Sequence, residues 1–256
     1  MGEFRSRYHA CVSRRTVLGA LATAVVAAGS RAVRSHAQAS LTPRLWLPLV
    51  QAGTAIVVDD APILGPASGT VEQATAWFAA NANPDSSVGG YTPDDCATIV
   101  DAYQQQGDAV GIDWFLAMAQ MSVETGGLTS WWSLRPQRNP AGLGVTGQVQ
   151  AGTPDAPPGP GWAWHNNQWE AGLSFPAWTS DSVPAHLGRL LAYALTDAQA
   201  NPAQRQLINQ ALAYRPLPLS YRGIAPTIDG LNGTWAVPGT TYGQTILLVA
   251  GRMRGG

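Results

Sequence analysis

Ile112-Asp113-Trp114-Phe115-Leu116-Ala117-Met118-Ala119-Gln120-Met121-Ser122-Val123-Glu124 runs directly into Thr125-Gly126-Gly127. The run reads as a packed apolar helix, and the glycine pair ends it. A carboxylate that emerges from a packed helix beside a glycine break is half desolvated, which raises its pKa and lets it hold a proton for donation. Glu124 is therefore the leading candidate for a general acid. Glutamate is scarce in this chain, since apart from Glu3 it has only Glu72, Glu124 and Glu170. On position alone the plainer reading, a carboxylate that caps a surface helix, stays open.

Upstream of this run two further helices are expected. Thr70 can cap one whose apolar positions Val71, Ala74, Trp77 and Phe78 recur at helical spacing. The next begins at Thr92-Pro93, with Asp94 and Asp95 favoured by the positive end of the helix dipole. Its stripe of Ile99, Val100 and Tyr103 is expected to weaken at Gly107. Downstream, glycine and proline recur from Pro136 through Gly172 and exclude regular helix over most of that span. A small β-hairpin or lid is expected there, with Trp162-Ala163-Trp164 and Gln168-Trp169-Glu170 as its alternating segments. Helical patterns return at Val183–Ala198, Pro202–Tyr214 and Tyr242–Met253, separated by a polar, proline-containing turn region from Arg215 to Gly239. No repeat and no series of strands suggests a barrel or a sandwich. The fold class is mainly α.

The N-terminus reads as an address. Ser13-Arg14-Arg15-Thr16-Val17-Leu18 is a twin-arginine pattern, and a weakly apolar stretch from Val17 to Ala28 follows it. Ala37-Gln38-Ala39 offers a cleavage site, so residues 1–39 are expected to be a signal peptide and the protein to be exported to a bacterial cell envelope or beyond. The stretch is too short for a stable membrane anchor. Residues 40–69 mix proline, glycine and short apolar runs and read as an extended lead-in. Residues 70–256 remain as the functional domain, large enough for one full core.

After the signal, Cys96 stands alone, so no intrachain disulfide is expected. The chain has no lysine, and from Ser40 onward nine arginines face fifteen acidic residues. An acidic body argues against nucleic acid as a partner, because that binding needs many basic phosphate contacts. His165 and His186 are the only histidines after the signal, which gives poor grounds for zinc, and His186 beside a leucine-rich helix face reads as a hydrogen-bonded structural residue. No metal or cofactor is expected. Gly-x-Ser-x-Gly is absent, which argues against a serine hydrolase. Six of the ten tryptophans lie between Trp131 and Trp178, and flat rings with a polar edge suit the apolar faces of sugars, although burial is their default.

Ala119-Gln120-Met121-Ser122-Val123-Glu124-Thr125-Gly126 resembles the signature of the glucosaminidase domain of bacterial cell-wall hydrolases, the family-73 glycoside hydrolases. Asn139-Pro140-Ala141-Gly142-Leu143-Gly144-Val145-Thr146-Gly147 is similar to a block that follows the acid in that family. Phe175-Pro176-Ala177-Trp178 with Ser182, and Trp235-Ala236 with Tyr242-Gly243-Gln244-Thr245-Ile246, resemble two later elements. The matches keep the family's order over about residues 70–253. The resemblance implies a lysozyme-like helical domain with a loop or hairpin flanking a cleft, acting on β-1,4-linked N-acetylhexosamine chains such as peptidoglycan. It implies Glu124 as proton donor, Tyr242 as a second cleft residue at the chemistry, and Asn139, Gly142, Gly144 and Trp178 as residues that shape the cleft or bind sugar. Without the resemblance, Asn139 and the glycines form an ordinary turn and Tyr242 is a core-facing helix residue.

Glycoside cleavage normally uses two carboxylates. The resemblance places the second on a hairpin, where Asp155 and Glu170 are available. Glu170 is the better candidate because Trp169 and Phe175 could hold it near the cleft. Alternatively the substrate's own acetamido group attacks and no second acid is needed. A lytic transglycosylase that releases an anhydro sugar, and a glycan-binding module without turnover, are the other readings.

Overall fold

The computed structural model describes residues 59–255. The expected signal peptide and the lead-in up to residue 58 lie outside the described residues. The described chain is mainly α, with six α-helices and one three-stranded antiparallel sheet. Local chemistry sets the first boundaries. Helix α1, Val71–Asn81, begins at a reciprocal box between Thr70 and Gln73, and α2, Pro93–Val110, begins at the same device built from Thr92 and Asp95. Each box satisfies two N–H groups that a helix start leaves unpaired.

Helix α2 runs through Gly107 instead of fading there. A β-carbon at Gly107 would lie 2.5 Å from Cβ of Trp114, so this glycine marks a close crossing with the next helix. That helix is α3, Trp114–Thr125. Asp113 caps it, with Oδ1 accepting from the Leu116 N–H at 3.1 Å and Oδ2 from the Ser68 N–H at 3.1 Å. Every residue of α3 from Trp114 to Ser122 is buried, and Gly126 closes it in the left-handed conformation. Helix α3 packs against α2, against α4 (Val183–Ala194) and most extensively against α6 (Tyr242–Met253).

Helix α4 is buried along its whole length and lies against α5, Pro202–Tyr214. It ends at Ala194, earlier than the sequence pattern suggests. The reason is tertiary: N–H groups of Gly223 and Ala225 take the carbonyls of Ala192 and Tyr193, so the loop after α5 supplies the partners a further helical turn would have offered. A π-type turn at Trp178–Ser182 leads into α4.

The expected hairpin is present as β2 (Trp162–His165) and β3 (Gln168–Ala171), with Trp164 opposite Trp169. Asn166 and Asn167 both take positive φ between them, the pairing a two-residue hairpin loop demands. A two-residue strand β1, Val149–Gln150, adds to β3 and makes the order β1-β3-β2. Residues 59–69 are stitched into the body: Ile63 is buried, its N–H bonds the Pro226 carbonyl and its carbonyl accepts from Asp113 N–H. Cys96 is buried and free, as its solitary position in the sequence suggested.

Gly188 marks a close approach of α4 and α5. A β-carbon there would run into the main-chain oxygen of Leu207 and stand 2.8 Å from Cβ of Ala211. Gly188→Ala is expected to force the helices apart and lower stability by about 1–3 kcal/mol, read as a shift of the urea midpoint with an unchanged slope.

Candidate active site

Glu124 sits in the last turn of α3, and the first residue of α6, Tyr242, meets it across the helix pair. The Tyr242 hydroxyl donates a hydrogen bond to Glu124 Oε1. Trp235, on the loop before α6, donates its indole N–H to the same oxygen at 3.0 Å. Among the described residues no hydrogen bond reaches Oε2. That oxygen faces Gly142, where a β-carbon would lie 3.6 Å from it. Gly142 has φ +59°, a conformation that favours glycine, and its missing side chain keeps the approach to Oε2 open.

Glu124 lines a cavity of about 440 Å³ together with Gly142, Leu143, Tyr193, Trp235 and two arginines, Arg189 and Arg215. It is the one acidic residue among those lining this cavity. Burial raises the Glu124 pKa, against the opposing pull of the hydrogen bonds from Tyr242 and Trp235. Desolvation therefore outweighs the two donors. The carboxyl keeps a proton to higher pH than a solvated glutamate and presents the unengaged oxygen to the cavity, which is what transfer of a proton to a bound acceptor needs.

Behind Glu124 lies a chain of buried polar groups. Gln120, one helical turn earlier and fully buried, donates Nε2–H to the Tyr242 hydroxyl at 2.8 Å. Its Oε1 is 3.0 Å from His186 Nε2, and His186 Nδ1 is 2.7 Å from the Tyr103 hydroxyl. One set of roles satisfies every member: Tyr103 donates to Nδ1, and Nε2–H donates to Gln120. The imidazole is then neutral, in keeping with full burial that pushes its pKa down to about 3. The sequence-based reading of His186 as a bonded structural residue holds.

The structure separates the other expected site residues. Tyr242 and Gly142 stand at Glu124. Asn139 does not face the cavity: it is buried, its Oδ1 accepts from the N–H groups of Ala141 and Leu143, and its Nδ2 donates to the carbonyls of Leu143 and Leu173. It pins the loop that carries Gly142. Gly144 also lies off the cavity, packed against Leu173, which a β-carbon would approach to 3.0 Å. Trp178 is 7% exposed and donates to the Tyr91 hydroxyl at 3.0 Å, so it is a core residue rather than a sugar platform. Glu170 on β3 pairs with His165 Nδ1 at 3.1 Å and is not among the residues lining the cavity, and Asp155 lies exposed on the preceding loop. Of the tryptophan-rich span, Trp131 stacks on His165 and Trp164 meets Trp169 edge-on. The tryptophan in the cavity is Trp235.

Sequence reasoning gave no role to Gln120, Trp235, Tyr193, Arg189 or Arg215. Two signals were available. Gln120 lies four residues before Glu124 on the same helix face, and Arg189 interrupts the leucines of α4, where an unpaired guanidinium is costly.

Compared with known proteins, the chain matches no family model, and no curated protein or solved structure matches it significantly.

Within this chain Glu124 and His186 titrate in opposite senses. Folding favours protonated Glu124, a contribution present below its unfolded pKa and lost as pH rises through the raised folded value. Folding favours neutral His186, a contribution present above about 6.5 and lost as pH falls toward about 3. At most this slope is about 1.4 kcal/mol per pH unit. His186→Asn is expected to lower stability at pH 7 by about 1–3 kcal/mol and to flatten the acid decline between pH 6.5 and 4, measured by urea unfolding at each pH. Tyr242→Phe removes a bond that favours the carboxylate, so carboxyl-carbon NMR should show Glu124 titrating at higher pH than in the wild type.

Proposed function

We propose that the protein is a glycoside hydrolase of β-1,4-linked N-acetylhexosamine chains, peptidoglycan above all, with a lysozyme-like helical domain of the glucosaminidase type and Glu124 as its general acid. The observation that carries this reading is the asymmetric carboxyl, with one oxygen held by Tyr242 and Trp235 and the other open to a cavity in which it is the lone acid. The ordered motif resemblance supports it, and the twin-arginine pattern fits an exported enzyme whose substrate lies outside the cytoplasm. Among the described residues no helix is long and apolar enough to cross a membrane.

Glu124 gives its proton to the bridging oxygen as the glycosidic bond breaks, and positive charge develops at the anomeric carbon. With Glu170 engaged by His165, the group that meets this charge belongs to the substrate. Attack by the acetamido carbonyl forms a bicyclic intermediate, which water opens while returning a proton to the Glu124 carboxylate. Attack by the sugar's own 6-hydroxyl is the second reading, favoured by the same absence of a second acid from the cavity lining; it returns that hydroxyl's proton to Glu124 and releases an anhydro end.

Mass spectrometry of digested, purified peptidoglycan distinguishes the outcomes. A new reducing-end N-acetylglucosamine is expected. Glu124→Gln should lower turnover about 10²–10⁴-fold while binding survives. A wild-type protein that binds glycan strands without cleaving them would replace the enzyme with a binding module, and an anhydro end would select the transglycosylase.

A further inference from the structure

Two of the nine arginines that follow Ser40 line the cavity that Glu124 opens into. Arg189 is 7% exposed. It donates Nη1–H to the main-chain oxygen of Arg215 at 3.0 Å, and its guanidinium lies 5.7 Å from the centre of the Tyr193 ring. Neither arginine is in an ion pair: those of the described residues are Arg135–Asp95, His165–Glu170 and Arg222–Asp197. Acids outnumber arginines in this part of the chain, so counter-charges are available elsewhere. A guanidinium nine-tenths buried without a carboxylate is costly, and this one is fixed at the wall of the cavity by a carbonyl and an aromatic ring. Glu124 does not serve as its partner, because the bonds to Glu124 come from Tyr242 and Trp235.

We propose that Arg189 and Arg215 form a carboxylate-binding subsite of the Glu124 cleft, so that the protein selects N-acetylhexosamine chains carrying an acid over neutral ones. The inference rests on the glycosidase reading and narrows its substrate class. A guanidinium presents paired N–H donors that match a carboxylate, and in a partly dry cavity such a pair holds both register and orientation. The acid has two possible sources on such a chain, the lactyl carboxylate of a strand without peptides or a carboxylate of the attached peptide. Both offer the same planar anion.

The test is calorimetric binding to the Glu124→Gln protein, which uncouples recognition from turnover. The ligands are lactyl-bearing oligosaccharides without peptide, the same oligosaccharides with the carboxyl reduced to an alcohol, peptide-bearing fragments with the lactyl carbonyl in amide linkage, and neutral N-acetylglucosamine oligomers. An acid-bearing ligand is expected to bind about tenfold or more tightly than its uncharged counterpart, in line with one charge-assisted pair. Arg215→Ala, at an exposed position, should erase most of that preference, weakening the acid-bearing ligand far more than the neutral oligomer. Arg189→Lys keeps the charge but not the fork and should reduce the preference too. Preference for the peptide-free acid or for the peptide-bearing fragment assigns the source. Equal binding of acid and reduced ligands, with cleavage by the wild type intact, overturns the subsite and leaves the glycosidase standing. Failure to bind any of the ligands, with no cleavage, overturns both.

Discussion

The hydrogen bond from Tyr242 to Glu124 ties α6 to the end of α3, and the site depends on it. Helix α3 is buried on most sides, so a polar side chain on its inner face has little access to bulk water and needs a partner from another element. Gln120 and Glu124 share one face, and α6, α4 and α2 supply the partners through Tyr242, His186 and Tyr103. Each group is satisfied only because the next is present. Such a network is worth more than its separate bonds, and removing one member leaves its neighbour buried and unpaired. The relay is therefore a structural clamp among four helices as well as the support of the acid.

The same clamp fixes the geometry in which the carboxyl is useful. Both donors approach Oε1, so the side chain cannot rotate without losing Tyr242 and Trp235 together. Oε2 is left toward the cavity, and the loop bearing Gly142 is held at its height by the four hydrogen bonds of the Asn139 amide. Asn139 thus acts at one remove. It sets where the backbone passes, and Gly142 lets that backbone pass close to the acid without filling the space above it.

The helices were legible because their signals are local. Thr70, Thr92 and Asn201 close capping boxes with residues three positions on, and the hairpin was visible in the alternation around Trp164 and Trp169. The misread points depend on distant neighbours: Gly107 continues its helix because Trp114 needs the space, and α4 stops at Ala194 because Gly223 and Ala225 take its carbonyls. The site divides in the same way. Glu124 could be picked out from its run and its glycines, and Tyr242 and Gly142 by resemblance. Trp178 and Asn139 do not reach the cavity themselves, because a motif gives chain position but not side-chain direction and both turn into the protein, Asn139 shaping the cavity only through the loop it holds. Trp235 and Arg189 come from segments 111 and 65 residues away from Glu124 in sequence, and no local pattern links them to it.

Charge placement joins the acid to its surroundings. The body carries more acids than arginines, yet the cavity lining reverses that balance, with two guanidiniums and one carboxyl whose pKa is raised by burial. With two guanidiniums and one carboxyl this lining is net cationic, a balance that favours an anionic ligand. In the proposed reaction, loss of the Glu124 proton would place a negative charge beside the developing positive charge on the sugar, where the low dielectric strengthens the attraction. The arginines would oppose that charge if they faced the same atom. Oε1 is held by the neutral donors Tyr242 and Trp235 rather than by either guanidinium, so under the proposed reading one cavity would bind an anion at the arginines and meet a cation at the carboxyl.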